Sequence, residues 1–232
     1  MKCLIHERWG GTPRDVKKTV SSADDDVMCW AAAASNILAW TGWGFPPQES
    51  FADENAIFNY FLDHWTDKAG FPARGWEWWF DGHAQTDLET PGGGFWEPPY
   101  GFSDYYHVEW DRAKALTAIR EDVDHGYGMV LDLVSQQGGH VITCWGYEQA
   151  EDAPAVGIYT TDSDDPVAGL RYYPLHQDTS GQDEWSHYKD WWYFTYRDGT
   201  TRFLIGAVHA LDRAVRVPGQ NTPKPPTGLQ VS

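Results

Sequence analysis

The strongest constraint on the fold is a change of hydrophobic period near Gly128. Before it, apolar residues recur at helical spacing. Trp30, Ala33, Ala34, Ile37 and Leu38 form one stripe within Val27 to Trp40, which Gly42 stops. Ile57, Phe58, Phe61, Leu62 and Trp65 form a second, predicting a helix from about Gln48 to Lys68, and Ala115, Leu116, Ile119 and Val123 a third, within Trp110 to His125. After Gly128 the pattern becomes short runs of β type: 129–134, 140–147, 156–161, 170–173, 191–196 and 203–210. Helices followed by strands predict a segregated α+β domain, with N-terminal helices and a C-terminal antiparallel sheet. Residues 76–80 fit either period. Residues 81–109, with Pro91-Gly92-Gly93-Gly94 and Pro98-Pro99, read as one long loop.

Lys and Arg number 17 against 34 Asp and Glu, a formal charge of −17 over 232 residues. Such a surface repels phosphate backbones and anionic lipid, which argues against nucleic-acid or membrane partners. The longest apolar or small stretch, Val27 to Ala34, is far short of the roughly 20 residues a bilayer span needs. Met1 to Glu7 begins like a signal peptide but turns polar after three apolar residues, so the chain reads as cytosolic or as a piece of a longer exported protein. The domain is expected over 1–217. Residues 218–232 read as a proline-rich linker and the first strand of a fibronectin III or immunoglobulin-like module. Fourteen Trp, 12 Tyr and 10 Phe imply a heavily aromatic core or an exposed platform, and composition does not choose.

Three cysteines, Cys3, Cys29 and Cys144, leave at least one thiol free and match neither a disulfide framework nor a zinc ribbon. Cys29 falls at a helix start, where unpaired N–H groups and the helix dipole favour a thiolate. The run Asp24-Asp25-Asp26 before it opposes that charge and calls for a cationic partner. His140 is the candidate, since it follows Gly138-Gly139 at the entry to a strand. A hairpin centred near Glu151 would set it opposite Asp162, at the end of the next strand. Cys, His and Asp in that order suit nucleophile, base and orienting carboxylate.

These residues also resemble a family. Asp-Asp-Val-Met-Cys29 before an Ala-rich helix, His140-Val-Ile-x-x-Trp-Gly146, and Ile158-Tyr-x-Thr-Asp162-Ser-Asp164 are similar to the IdeS/Mac family of secreted streptococcal immunoglobulin-degrading cysteine endopeptidases, over about Lys17 to Ala210. The resemblance implies a papain-like thiol protease fold, no cofactor and no metal. It implies a secreted or surface-attached bacterial virulence hydrolase, whose protein substrate is an immunoglobulin heavy chain cut near the hinge. It assigns Cys29 as nucleophile, His140 as general base and acid, Asp162 as its orienting residue and Asp164 as a second carboxylate. Lys18, in the Lys18-Thr19 pair, would help form the oxyanion hole with the Cys29 backbone N–H. The stretch from Lys18 to Cys29 is one residue longer than in the family, so Lys17 competes for that role. Trp30 stands where the family has a glycine and would narrow the cleft.

Three other readings compete. Asp162-Ser-Asp164-Asp165 begins like a calcium loop, but Val167 and Tyr173 occupy the positions of its glycine and glutamate. A transglutaminase-like acyltransferase shares the Cys, His, Asp order. A binding domain without protease activity would use Trp76, Trp78, Trp79 and Trp96 as an aromatic platform.

Overall fold

The computed structural model describes residues 1–18, 25–65, 67–83, 86, 88–96, 98–149, 156–177 and 190–214. Asp24, Thr19 and the expected linker at 218–232 lie outside them. The described chain is an α+β domain in which helices precede and pack on an antiparallel barrel.

The helical layer is built around α2, Cys29–Thr41. Every residue of it from Trp30 on is buried, so the helix runs between neighbours on all sides. Its alanines let those neighbours approach, and Gly42 ends it in the left-handed conformation, with φ 93°. Its N-cap is Met28, and no side chain among the described residues caps that end. The next helix, α3 (Glu54–Trp65), is shorter than its apolar stripe predicts. Asp53 Oδ1 accepts the N–H groups of Asn55 and Ala56, which fixes its start. The ambiguous stretch at 76–80 is helical, within α4 (Pro72–Asp81), which begins on proline. A short α1 (Ile5–Trp9) at the N-terminus and α5 (Ala115–His125) complete the set, and a single 3₁₀ turn capped by Asp111 replaces the expected first turn of α5.

The aromatic residues form the core of this layer rather than a platform. Trp76, Trp78 and Trp79 are fully buried and Trp96 nearly so, which removes the exposed surface that the binding-domain reading required. The triple glycine of the expected loop folds back on α4. Gly94 and Phe95 donate to the carbonyls of Trp78 and Trp79, and a Cβ on Gly93 would lie 2.0 Å from the Trp78 carbonyl oxygen.

The described residues form eight strands: β1 (Lys2–Leu4), β2 (Tyr106–Glu109), β3 (Gly128–Ser135), β4 (Gly138–Gln149), β5 (Val156–Thr161), β6 (Arg171–Gln177), β7 (Trp192–Thr195) and β8 (Arg202–Leu211). The six later predicted runs all occur. They do not form an open sheet, however, because the order β4-β3-β8-β7-β6-β5 returns to β4 and closes a six-stranded barrel. Closure removes the free edges that an open sheet would leave. β1 and β2, absent from the sequence reading, extend β4 and β8; three or four residues carry too little periodicity to announce a strand.

The β4–β5 register also differs from expectation. Thr143 pairs with Thr161 and Cys144 with Thr160, and a bulge at Trp145 shifts the ladder by one before Gly146 pairs with Tyr159. Continued one step, the ladder sets Asp162 against Ile142, two residues from His140. The hairpin is thus centred beyond Glu151, and His140 meets Asp162 diagonally instead of directly.

Because Gly93 has φ 65° and no room for a side chain against the Trp78 carbonyl, Gly93→Ala is expected to lower unfolding free energy by about 1–3 kcal/mol. Urea denaturation measures it. A change below about 0.5 kcal/mol, the usual range for an unconstrained surface site, would contradict this packing.

Candidate active site

Cys29 is the first residue of α2 and is only partly buried, unlike the rest of the helix. His140 enters from the barrel. The two-residue turn Gln136-Gln137 joins β3 to β4, and Leu133 pairs with His140 just past Gly138-Gly139. Asp162 directly follows β5. Three elements far apart in sequence therefore deliver three side chains to one place.

His140 Nε2 lies 2.9 Å from Asp162 Oδ1. The imidazole and Cys29 line the same cavity, near enough for the sulfur to raise the imidazole pKa; with Nε2 engaged, the ring nitrogen left for sulfur is Nδ1. Burial alone would drive the imidazole pKa down. The hydrogen bonds and charges of Asp162 and Cys29 outweigh it, and the value is pushed up to about 10. Asp162 is its counterpart: burial raises its pKa, but the bond and charge of His140, together with the Tyr196 and Asp164 contacts, hold it below the usual carboxylate range.

Asp162 is itself held on several sides. The Tyr196 hydroxyl donates to its Oδ2, the Asp164 N–H donates to Oδ1 at 2.9 Å, and Lys17 Nζ donates to its backbone carbonyl at 2.8 Å. Burial and the Asp162 charge push the Tyr196 pKa far above the ordinary phenol value, so the hydroxyl remains a donor. No sequence signal marks Tyr196; it stands just past β7, and the β5-β6-β7 order of the sheet brings it to Asp162.

The two lysines separate. Lys17 Nζ turns to Asp15 Oδ1 at 2.9 Å, on the side of the Asp162 carbonyl. Lys18 Nζ lies 3.0 Å from Asp164 Oδ1, donates to the Asp26 carbonyl, and shares a cavity of about 430 Å³ with Cys29, His140 and Asp164. Their segment is held between layers: Val16 N–H donates to Asn36 Oδ1 on α2 at 3.0 Å, Asn36 Nδ2 donates to Thr143 on β4, and the Lys18 N–H donates to the Ser163 carbonyl. Asp164 is less close to the imidazole than Asp162, with Oδ2 3.9 Å from His140 Nδ1.

Trp30 does not narrow the cleft. Its side chain is buried between Phe61 and Trp65, and its Nε1 donates to the Lys68 carbonyl at 2.8 Å. Gly70 and Gly75 make room for the ring. Trp30 thereby fixes Ala69, Gly70 and Phe71, which form one wall of the cavity at Cys29. Cys144, on the face of β4 that carries His140, is fully buried, and burial pushes its thiol up to about 12. The carboxylates of the would-be calcium loop point to different partners, since Asp165 pairs with Arg171 and Arg197 while Asp162 and Asp164 face His140 and Lys18. Among the described residues no three His, Cys, Asp or Glu side chains are grouped to hold a metal ion, and no helix is long and apolar enough to cross a membrane.

This arrangement presents a thiol, an imidazole and a buried carboxylate in series at the mouth of a cavity, with an ammonium and a helix start beside the sulfur. It can support nucleophilic attack by sulfur with proton transfer through Nδ1. The chain matches no protein-family model and none of the curated proteins.

Since the folded imidazole titrates above its ordinary 6.5, its pairing contributes stability in full below pH 6.5. That contribution is lost as pH rises through about 10. NMR titration of the His140 ring is therefore expected to find an imidazolium across pH 6–8, with the midpoint falling in Asp162→Asn. A wild-type midpoint near 6.5 would contradict the pairing.

Proposed function

We propose that this chain is a papain-like cysteine endopeptidase domain acting on an extracellular protein, with an immunoglobulin heavy chain near its hinge as the expected substrate. The observation that carries the chemical part is the convergence of Cys29 and Lys18 on one cavity with His140, whose imidazole is bonded to the buried Asp162. The immunoglobulin, the secreted or surface location and the bacterial setting rest on the motif resemblance.

In this reading Cys29 Sγ attacks the scissile carbonyl carbon and forms a tetrahedral adduct. The oxyanion is stabilised by the Cys29 backbone N–H at the uncapped start of α2 and by the Lys18 ammonium. His140 Nδ1–H then protonates the leaving amine, and the C–N bond breaks to leave a thioester on Cys29. Water, deprotonated by Nδ1, attacks the thioester and releases the acid and free thiol. Asp162 keeps Nε2–H directed and stabilises the cation throughout, and Tyr196 and Lys17 keep Asp162 in place. The second carboxylate, Asp164, would act mainly by holding Lys18 at the cavity.

The test is incubation of the domain, with Cys29→Ala as control, with immunoglobulins of several classes, followed by mass-spectrometric mapping of fragments. One heavy-chain cut that disappears in the control supports the reading. Intact immunoglobulins together with an amide product from an added amine would indicate an acyltransferase instead. Lys18→Ala is expected to lower kcat about 10²–10³-fold, the usual loss for one oxyanion donor, while Lys17→Ala, which reaches the site only through the Asp162 carbonyl, should cost far less. The reverse order would move the oxyanion role to Lys17.

A further inference from the structure

The cavity at Cys29 contains a charge that the proposed chemistry does not use. Asp132, on β3, lines it together with Cys29 and His140. Its Oδ2 lies 3.0 Å from His209 Nε2, while Oδ1 is buried with no hydrogen-bond partner among the described residues. Both ring nitrogens of His209 are engaged, Nε2 with Asp132 and Nδ1 with the Tyr106 hydroxyl at 2.7 Å. No Lys or Arg among the described residues pairs with Asp132, and the one lysine lining the cavity, Lys18, is held by Asp164 and the Asp26 carbonyl.

The Asp132 side chain is 14 % exposed, and a carboxylate with one hydrogen bond at the edge of a low-dielectric cavity gains from a cationic donor that reaches its exposed part. The remaining lining suits the rest of such a ligand. Val27, Phe71, Leu133, Val134 and Val141 give the cavity an apolar wall, and Phe71 and Val27 stand exposed on its rim. An alkyl stem can lie along that wall with its charged head at Asp132, and the exposed Phe71 ring adds a face that attracts cations. An apolar side chain would fill the same wall but leave the carboxylate unsatisfied.

The geometry points to Asp132 as a specificity-determining residue: the cavity beside Cys29 is a subsite for a lysine or arginine side chain of the protein substrate. The substrate part rests on the endopeptidase reading above; the cation site itself does not. Asp132 discriminates by pairing with the substrate's cation, and His209, held by Tyr106, keeps the carboxylate facing its place in the sheet.

The experiment therefore has two arms. In the first, limited alkylation of Cys29 by iodoacetamide is followed by peptide mass spectrometry in the presence of n-butylguanidinium or of 1-butanol. The cation is expected to slow labelling about 5–10-fold, as occupancy of a shared cavity requires, and the alcohol to leave it unchanged. Protection is expected to persist in Asp132→Glu and to vanish in Asp132→Asn, whose amide still accepts the His209 bond. Equal protection by both compounds, protection by neither, or protection surviving in Asp132→Asn overturns the assignment, and the wild-type comparison alone does so if the variants fail to fold. In the second arm, peptides carrying lysine or norleucine at each position around the cut are compared. The lysine-to-norleucine ratio of kcat/KM is expected to exceed about 10 at one position and to collapse toward one in Asp132→Asn. Peptide hydrolysis with no such ratio also overturns it. Charge-dependent protection of Cys29 without any peptide hydrolysis leaves the cation site standing and removes the endopeptidase reading.

Discussion

Twelve consecutive buried residues, Trp30 to Thr41, force α2 to be enclosed, and most of the molecule is arranged around that requirement. One side takes the aromatic helices α3 and α4; another takes β3 and β4 of the barrel. Alanine at 31–34 permits the close approach, and Trp30 supplies the large side chain that locks α3 and the 68–75 segment against the helix. A helix enclosed along its length offers its chemistry only at its ends. Cys29, at the N-terminal one, is therefore both rigidly carried and reachable.

The barrel contributes the complementary half. Closure through β4–β5 brings the entry of β4, the exit of β5 and the exit of β7 to one rim, and from these come His140, Asp162 and Tyr196. Asp162, at the centre, is the most deeply buried of the three, which strengthens its electrostatics and raises the cost of removing a partner. The pair is thus a junction between two layers, joined further by Asn36, which bonds the Lys17–Lys18 segment to both α2 and β4. Disturbing the interface between layers would be felt at the sulfur.

What sequence revealed and what it concealed divide by range of interaction. Cys29 at a helix start, Gly42 as a helix stop and β5 at 156–161 rest on local pattern, and each stands where the pattern puts it. The diagonal meeting of His140 and Asp162 was not legible, since it depends on the bulge at Trp145 and on a turn centre that hydrophobic alternation does not fix. Barrel closure was not legible either, because strand periodicity specifies faces and not neighbours. The places of Tyr196, Asp132 and His209 follow from which strands are neighbours, and as single residues among many tyrosines, aspartates and histidines they carry no motif. The tryptophans were ambiguous by composition alone; their burial is decided by the glycines that open space beside them, such as Gly75 beneath Trp30 and Gly93 at the Trp78 carbonyl.

The central claim is that Cys29, driven by His140, forms an acyl-enzyme. It is tested most directly by mixing the protein with p-nitrophenyl acetate, stopping with acid within a few turnovers, and locating the acetyl group by mass spectrometry. The account predicts a burst of nitrophenolate and one acetyl group on Cys29, with acylation much slower in His140→Ala. Acetylation of Cys3 instead, or of Cys29 at a rate indifferent to His140, would contradict it.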